Sequence, residues 1–353
     1  MIRVQETPGS NPGVPTSLYK SMEYQDRVYG KFDIDEPVIL ELMRSAALER
    51  LKRIDQGGYG PFWIRERDIK DYERNRFTHS VGTYLLLRKY GAPIEEQIAG
   101  LIHDVSHTAF SHCTEYVLNV GNEYRQNYQD SIHDRFVKGS EIPAILSKWG
   151  FDQEYILDDG NFPLKEKSLP DLCADRIDYT LRDAMVFSEL DEAGAKELLG
   201  RLAAQGGAWF FLDKESAHRF ARLFFTMNKV YYSDFASSRM FCAVSGFLKH
   251  ALDKEYIDRE DLETDDDYVV GKATAHLAED EKLQLLFERM ENRIGATDDP
   301  DDYDMPLVCK SRVVDPQFLE DGALRRVSDA YPAWREVMEE EMKPKRYFVK
   351  FER

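Results

Sequence analysis

Apolar residues along the chain recur mostly at helical spacing. After Asp35, Glu36 and Pro37, which together make a helix start signal, they fall at Ile39, Leu42, Met43, Ala46, Ala47 and Ile54, close to a 3.6-residue period. Gly57, Gly58 and the Gly60-Pro61 pair end that helix. The same period predicts helices over 76–89, 95–102, 110–118, 142–148, 170–185 and 216–252. Three apolar runs, Trp209-Phe210-Phe211-Leu212, Leu307-Val308 and Tyr347-Phe348-Val349, are short enough to be small strands. The pattern predicts an all-α, predominantly helical fold with at most one small β-hairpin at its periphery.

Composition sharpens this picture. The 353 residues are 42% hydrophobic, 12% aromatic and 32% charged, a globular profile that excludes a fibre, a disordered tail or a disulfide miniprotein. Residues 1–17, rich in Pro, Gly, Ser and Thr, read as a flexible arm. Residues 18–253 read as a helical core, and 254–353 as a C-terminal extension packed on it. Forty-seven Lys and Arg against 65 Asp and Glu give a net charge of -18, which disfavours nucleic acid and anionic membrane as partners. An anionic substrate must therefore meet a local positive site. The N-terminus lacks a signal-peptide apolar region, and no 18-residue apolar run suggests a membrane span, so the expected location is cytoplasmic. Cys113, Cys173, Cys242 and Cys309 form no CxxC pair and read as buried or incidental thiols. The acidic clusters at 258–267 and 298–304 read as solvated loops, since neither has EF-hand spacing.

The histidines concentrate the chemistry. Five of the eight, His79, His103, His107, His112 and His133, lie between positions 79 and 133. A lone helical His is more often a satisfied core or surface residue than a ligand, but the clustering changes that balance. His103-Asp104 follows the apolar Ala99-Gly100-Leu101-Ile102, which sets an imidazole and a carboxylate together where a buried helix ends. Such N/O ligands suit Mn, Fe, Ni, Zn or Mg, and the absence of neighbouring Cys argues against a thiolate zinc site. Two adjacent residues cannot complete a site. His79 and an Asp of Asp175-Arg176-Ile177-Asp178 are the candidates for the rest, although pairing of Asp175 or Asp178 with Arg176 or Arg182 is the plainer reading of that spacing. Asp175, Asp178 and Arg182 share one helix face, and Tyr179 reaches the same site from one turn after Asp175.

The ordered set His79, His103-Asp104 and Asp175 resembles the H…HD…D signature of the HD-domain metal-dependent phosphohydrolases, an α-helical superfamily. RFTHSVG at 76–82, HDVSHTAFSH at 103–112 and DRIDYTLRD at 175–183 narrow the resemblance to the deoxynucleoside triphosphate triphosphohydrolase (dGTPase-like) branch. It runs from about Asp35 to Leu252 and more faintly to Val314-Asp315-Pro316. The resemblance implies an HD-domain fold, a divalent metal held by His79, His103, Asp104 and Asp175, and His112 as catalytic histidine. It also implies His133 as a second active-site histidine, Glu115 as a supporting carboxylate, and a catalytic part for Asp104 through the metal. Arg76, Arg176, Tyr179 and Asp183 match nucleotide contacts, Gln56 the deoxyribose position, and His107 belongs to the same block. Relatives commonly assemble, so a homo-oligomer is expected.

One segment departs from that pattern. Where relatives carry Val-Tyr-x-His-Lys, this chain reads Val230-Tyr231-Tyr232-Ser233-Asp234. Tyr231 matches a substrate contact, but the His and Lys after it are replaced, and the earlier polyphosphate-binding positions hold Met227 and Leu223. Arg222 and Lys229 are the neighbouring cations available to compensate. Three readings stay open: a hydrolase converting a dNTP to deoxynucleoside and tripolyphosphate, an HD-type nucleotidase or phosphodiesterase acting on a monophosphate or dinucleotide, and a nucleotide-binding sensor with little turnover.

Overall fold

The computed structural model describes residues 21–63, 69, 72–118 and 128–352; the expected arm at 1–17 lies outside them. Helices dominate, and the one at the centre is Arg76–Lys89. Asn75 starts it by accepting the Thr78 N–H through its side chain, an N-cap that satisfies one of the free amide donors of the first turn. Every residue from Arg76 to Leu87 is buried, so this helix has no solvent face over that length and its polar residues point into the molecule. Ile94–Ile102 and Ala174–Val186 pack against it. Ile98, Leu101, Ile102, Ile177 and Leu181 fill the space between them.

The expectation of a single peripheral hairpin is corrected. Among the described residues, nine short strands form three sheets. Met22–Asp26 and Gly30–Ile34 make an antiparallel hairpin. Leu202–Gln205, Ala208–Phe211, Gln317–Glu320 and Ala323–Arg326 form a four-stranded sheet whose central pair is parallel. Ala296–Asp298, Lys345–Phe351 and Met305–Cys309 form the third, with Lys345–Phe351 in the middle. All three runs read as strands lie in strands, with Leu212 just beyond the end of Ala208–Phe211. Ala208–Phe211 pairs with the adjacent Leu202–Gln205 and, across distant sequence, with Gln317–Glu320, while Lys345–Phe351 joins Ala296–Asp298 to Met305–Cys309, pairings that local periodicity does not show.

Two long helices are broken. The first becomes Pro37–Met43, Ala46–Glu49 and a 3-10 turn Arg50–Arg53; Ser45 caps the second piece through Leu48 N–H. The helix expected at 216–252 divides into Lys214–Met227, a π turn Asn228–Tyr232, and Phe235–Asp253, with Asp234 capping the last by accepting Ser237 N–H. The acidic clusters have structural roles and are not only solvated loops. Asp265 caps Asp266–Thr274, and Asp266 turns inward to accept N–H groups from Asp55 at 2.9 Å and Phe110 at 2.6 Å. Asp298 and Asp304 accept the N–H groups of Phe348 and Phe351 and so brace the third sheet. All four cysteines are free and buried. Among the described residues, no helix is long and apolar enough to cross a membrane.

Candidate metal centre and substrate cavity

Three helix ends deliver the metal-ligand candidates to one point. His79 lies in the first turn of the central helix, His103 caps Ile94–Ile102, and Asp175 sits in the first turn of Ala174–Val186, where the helix dipole favours a negative charge. His79 Nε2 lies 2.9 Å from Asp175 Oδ1 and 3.2 Å from His103 Nε2, and His103 Nε2 lies 3.5 Å from Asp175 Oδ1. Asp104 closes the group: Oδ1 is 3.4 Å from His103 Nε2, and Oδ2 is 3.8 Å from His79 Nε2. The structure thus brings together all four residues that the HD resemblance implies.

The outer ring nitrogens decide what this group suits. His79 Nδ1 is 2.8 Å from the fully buried carboxylate of Asp178, and His103 Nδ1 is 2.7 Å from Gly100 O. Both acceptors call for a proton on Nδ1, which leaves both Nε2 lone pairs facing each other and Asp175. Lone pairs converging in this way call for a cation, and carboxylate or carbonyl partners behind imidazoles are the usual support for metal ligands. The electrostatics agree. Burial would lower the His79 pKa, but hydrogen bonds to Asp175 and Asp178 and the charge of Asp104 overcome it and raise the value to about 10, so this point favours positive charge, which a proton on Nε2 supplies without an ion and which a metal would supply in its place once that proton is displaced. Burial disfavours the ionised carboxyl of Asp104 too, yet Arg76 and the imidazoles hold its pKa well below the carboxylate range. The donor set therefore fits a divalent ion.

Asp178 also accepts two bonds from Arg182, Nε to Oδ2 at 3.0 Å and Nη2 to Oδ1 at 2.9 Å, and Arg182 reaches Asp26 at 3.0 Å. The ion pair suggested by the sequence spacing and the support of His79 are thus the same carboxylate in two roles. Gly82 makes room for it: a Cβ there would lie 2.0 Å from Arg182 Nη2 and 2.1 Å from Asp178 Oδ1.

A cavity of about 500 Å³ opens beside this group. Arg76 stands on its wall but is engaged inside the protein, donating to Ser111 Oγ, Asp104 Oδ2 and the Gln56 carbonyl. His107 Nε2 lies 3.3 Å from Asp104 Oδ1; burial and then the charge of Arg76 lower its pKa to about 3, so it is neutral. His112 lies 3.4 Å from Glu115 through Nδ1 and 3.5 Å from Arg76 through Nε2. Gln56 lines the cavity with Oε1 buried and unpartnered among the described residues. It rides on a loop tied by Asp55, whose Oδ1 accepts the N–H groups of Gly57, Gly58 and Gly60. Gly58 has φ +82°, and a Cβ on it would meet Phe110 O at 1.9 Å, so both backbone and space require glycine.

Arg176, Tyr179 and Asp183 line the cavity as well. Arg176 Nη1 is held by the carbonyls of Lys167 and Asp171 and by Cys173 Sγ. Asp183 is held by Arg74 and by the Tyr232 hydroxyl. His133 sits behind the wall. Ser106 Oγ donates to Gln129 O and therefore accepts from His133 Nδ1 at 3.1 Å, and the neighbouring Gln129 and Asp130 face the cavity instead.

Tyr231 requires a correction. It does not reach the cavity: its ring stacks on Phe187 at 4.4 Å and its hydroxyl donates to Glu189 at 2.6 Å. The π turn adds a residue to that helical turn and rotates the residues after it, so Tyr232 takes the cavity wall. Arg222 and Lys229 are exposed, Lys229 lying over the Phe225 ring at 5.4 Å, and neither compensates there. Sequence reasoning missed Arg74, Tyr232, Lys310 and Arg312, which do line the cavity. The available signals were the Arg74-Asn75-Arg76 pair and the Lys310-Ser311-Arg312 run just ahead of Val314-Asp315-Pro316.

The chain is 36% identical over 302 residues to the uncharacterized protein YdhJ of Bacillus subtilis, covering 85% of this chain and 90% of YdhJ. It is 30% identical over 322 residues to the metal-dependent phosphohydrolase cns2 of Cordyceps militaris, covering 89% of this chain and 90% of that protein. The chain belongs to the HD-type metal-dependent phosphohydrolases. A phosphohydrolase structure from Bacteroides thetaiotaomicron shares the fold of this HD phosphohydrolase, with TM-score 0.68, 17% identity, and 95% and 100% of the two chains covered. A hypothetical protein from Aquifex aeolicus does so with TM-score 0.68 and 20% identity over 94% and 96% of the two chains. No family model matches the chain.

Proposed function

We propose that this phosphohydrolase acts on nucleotides, converting a dNTP to deoxynucleoside and tripolyphosphate. The observation that carries the reading is the convergence of His79 Nε2, His103 Nε2 and Asp175 Oδ1 beside a cavity that also presents His112 and the unpartnered Gln56 Oε1. A divalent ion there (Mn, Fe, Ni, Zn or Mg) supplies Lewis acidity towards a phosphoryl oxygen and lowers the pKa of water. The chain's own residues do the rest. Arg76 and the neutral His107 fix the Asp104 carboxylate from both sides. His112, its Nδ1 turned to Glu115, would carry the proton that the leaving O5′ takes as water attacks the α-phosphorus and the Pα–O5′ bond breaks, while the attacking water gives its own proton to solvent. Gln56 Oε1 accepts a hydrogen bond from the sugar, a group left without a partner otherwise.

A second reading, hydrolysis of a monophosphate or dinucleotide, is favoured by one observation: Arg74, Arg76 and Arg176 are all bonded within the protein. Ion-exchange analysis of the products from Mn-supplied protein with dNTPs, NTPs and nucleoside monophosphates separates the two. Tripolyphosphate with free deoxynucleoside is expected. Orthophosphate from monophosphates alone supports the second reading, and nucleotide binding without turnover supports a sensor.

A further inference from the structure

We propose that Lys310 and Arg312 form the subsite for the phosphates beyond the one attacked, and so select a nucleoside polyphosphate over a monophosphate. This rests on the hydrolase reading above and deepens it. Among the described residues, five cationic side chains line the cavity: Arg74, Arg76, Arg176, Lys310 and Arg312. The first three hold the frame. Arg74 is bidentate to Asp183, Arg76 is bonded to Ser111, Asp104 and Gln56, and Arg176 holds two backbone carbonyls. The side chains of Lys310 and Arg312 form no hydrogen bond or ion pair among the described residues, although both are half-buried.

The segment that carries them is fixed. The buried Asn228 of the π turn donates to Ser311 Oγ at 2.9 Å and accepts the Arg312 N–H at 3.0 Å, while Ser311 Oγ donates to Glu341 at 3.2 Å. Tyr116, one residue from Glu115, donates to Val308 O at 3.2 Å. The cations are therefore held on a rigid segment tied to the helix that carries Glu115.

Two positive charges two residues apart, partly withdrawn from water, repel each other until an anion lies between them. The shift at Lys310 has this cause, burial first and then Arg312 lowering its pKa, against the weaker pull of Asp130 and Glu115. At the ion site, Asp104 and Asp175 already balance a divalent charge. The extra negative charge of a di- or triphosphate must be matched elsewhere. In a chain of net charge -18, these two side chains are the uncommitted cations of the cavity among the described residues.

The test compares wild type with Lys310→Gln, Arg312→Gln, Arg312→Lys and, as an exposed control cation away from the cavity, Lys229→Gln, all Mn-supplied and checked for folding by circular dichroism. Binding of inorganic tripolyphosphate and of orthophosphate is read by calorimetry, alongside KM and kcat for dNTPs. Each Gln variant is expected to bind tripolyphosphate about ten- to a hundredfold more weakly and to raise KM for dNTPs, with orthophosphate affinity changed about threefold at most, and Arg312→Lys is expected to recover most of the loss. Unchanged tripolyphosphate affinity in both Gln variants, or equal losses for the two anions, overturns the subsite. Absence of nucleotide turnover by wild type overturns the hydrolase reading instead, and the tripolyphosphate titration still decides whether these residues form an anion site.

Discussion

Asp178 never touches the cavity, yet the geometry makes it a support of His79, one of the candidate metal ligands. Its Oδ2 accepts the His79 Nδ1 proton at 2.8 Å, with the side chain wholly buried. Asp178→Asn weakens that charge-assisted bond, and losses behind metal ligands of this kind cost about 10–100-fold in ion affinity, or about 1.4–2.7 kcal/mol. The amide also cannot accept from His79 and Arg182 on both of its positions, so Arg182 is left with Asp26 as its one full carboxylate partner. Breaking a buried pair outright costs about 3–5 kcal/mol, and the retained Asp26 keeps the loss below that range. The assay is calorimetric titration of metal-stripped protein with Mn, paired with thermal unfolding. At an Mn concentration of about 100 times the wild-type Kd, the ion stabilises wild type by about 2.7 kcal/mol, and the variant by only about 0.4–1.4 kcal/mol if its Kd rises 10–100-fold. A folded Asp178→Asn protein with wild-type Mn affinity would refute the tautomer argument.

Other expectations rest on single contacts. Gly82→Ala pushes a methyl into Arg182 and Asp178 and is expected to cost about 3–5 kcal/mol in urea unfolding; an unchanged midpoint contradicts the packing. Burial, and then Lys165, lowers the His133 pKa from 6.5 to about 4. The unfolded chain therefore binds that proton first, and stability present above pH 6.5 is lost as pH falls towards 4, by up to about 3 kcal/mol. His133→Gln should flatten that part of the stability profile, and an unaltered profile counts against a buried neutral imidazole. Tyr231→Phe should lower stability without moving the nucleotide KM, whereas Tyr232→Ala should raise KM; the reverse pattern would undo the register assigned to the π turn.

The candidate metal ligands were legible through the HD resemblance, because His79, His103-Asp104 and Asp175 are few and chemically distinctive. His79, Asp175 and Asp178 meet because each lies near the start of its helix or one turn on. The sheets were not legible, since their strands are only three to seven residues long and the pairings that join hairpins into sheets cross long stretches of chain, Phe210 with Gln317 the longest. The break near Asp234 carried a signal, an acidic residue three positions before Ser237, but the apolar period runs through it. Arg76 and Arg176 illustrate a deeper limit. Residue type shows that an arginine suits phosphate, whereas only the fold shows that its donors already meet Asp104, Gln56 and backbone carbonyls. The converse holds for Lys310 and Arg312: the run Lys310-Ser311-Arg312 was visible in sequence, but only the fold places it on a cavity whose other walls come from residues 56 to 241.

Whether the four-residue metal centre drives the chemistry is decided by nucleotide hydrolysis in metal-stripped protein before and after Mn is restored, in wild type and in His103→Ala and Asp104→Ala. Hydrolysis is expected to return with Mn in wild type, and both folded variants are expected to lose Mn binding together with turnover. Wild-type hydrolysis by either folded variant, or by the metal-stripped protein, would contradict a metal-driven reaction at this site.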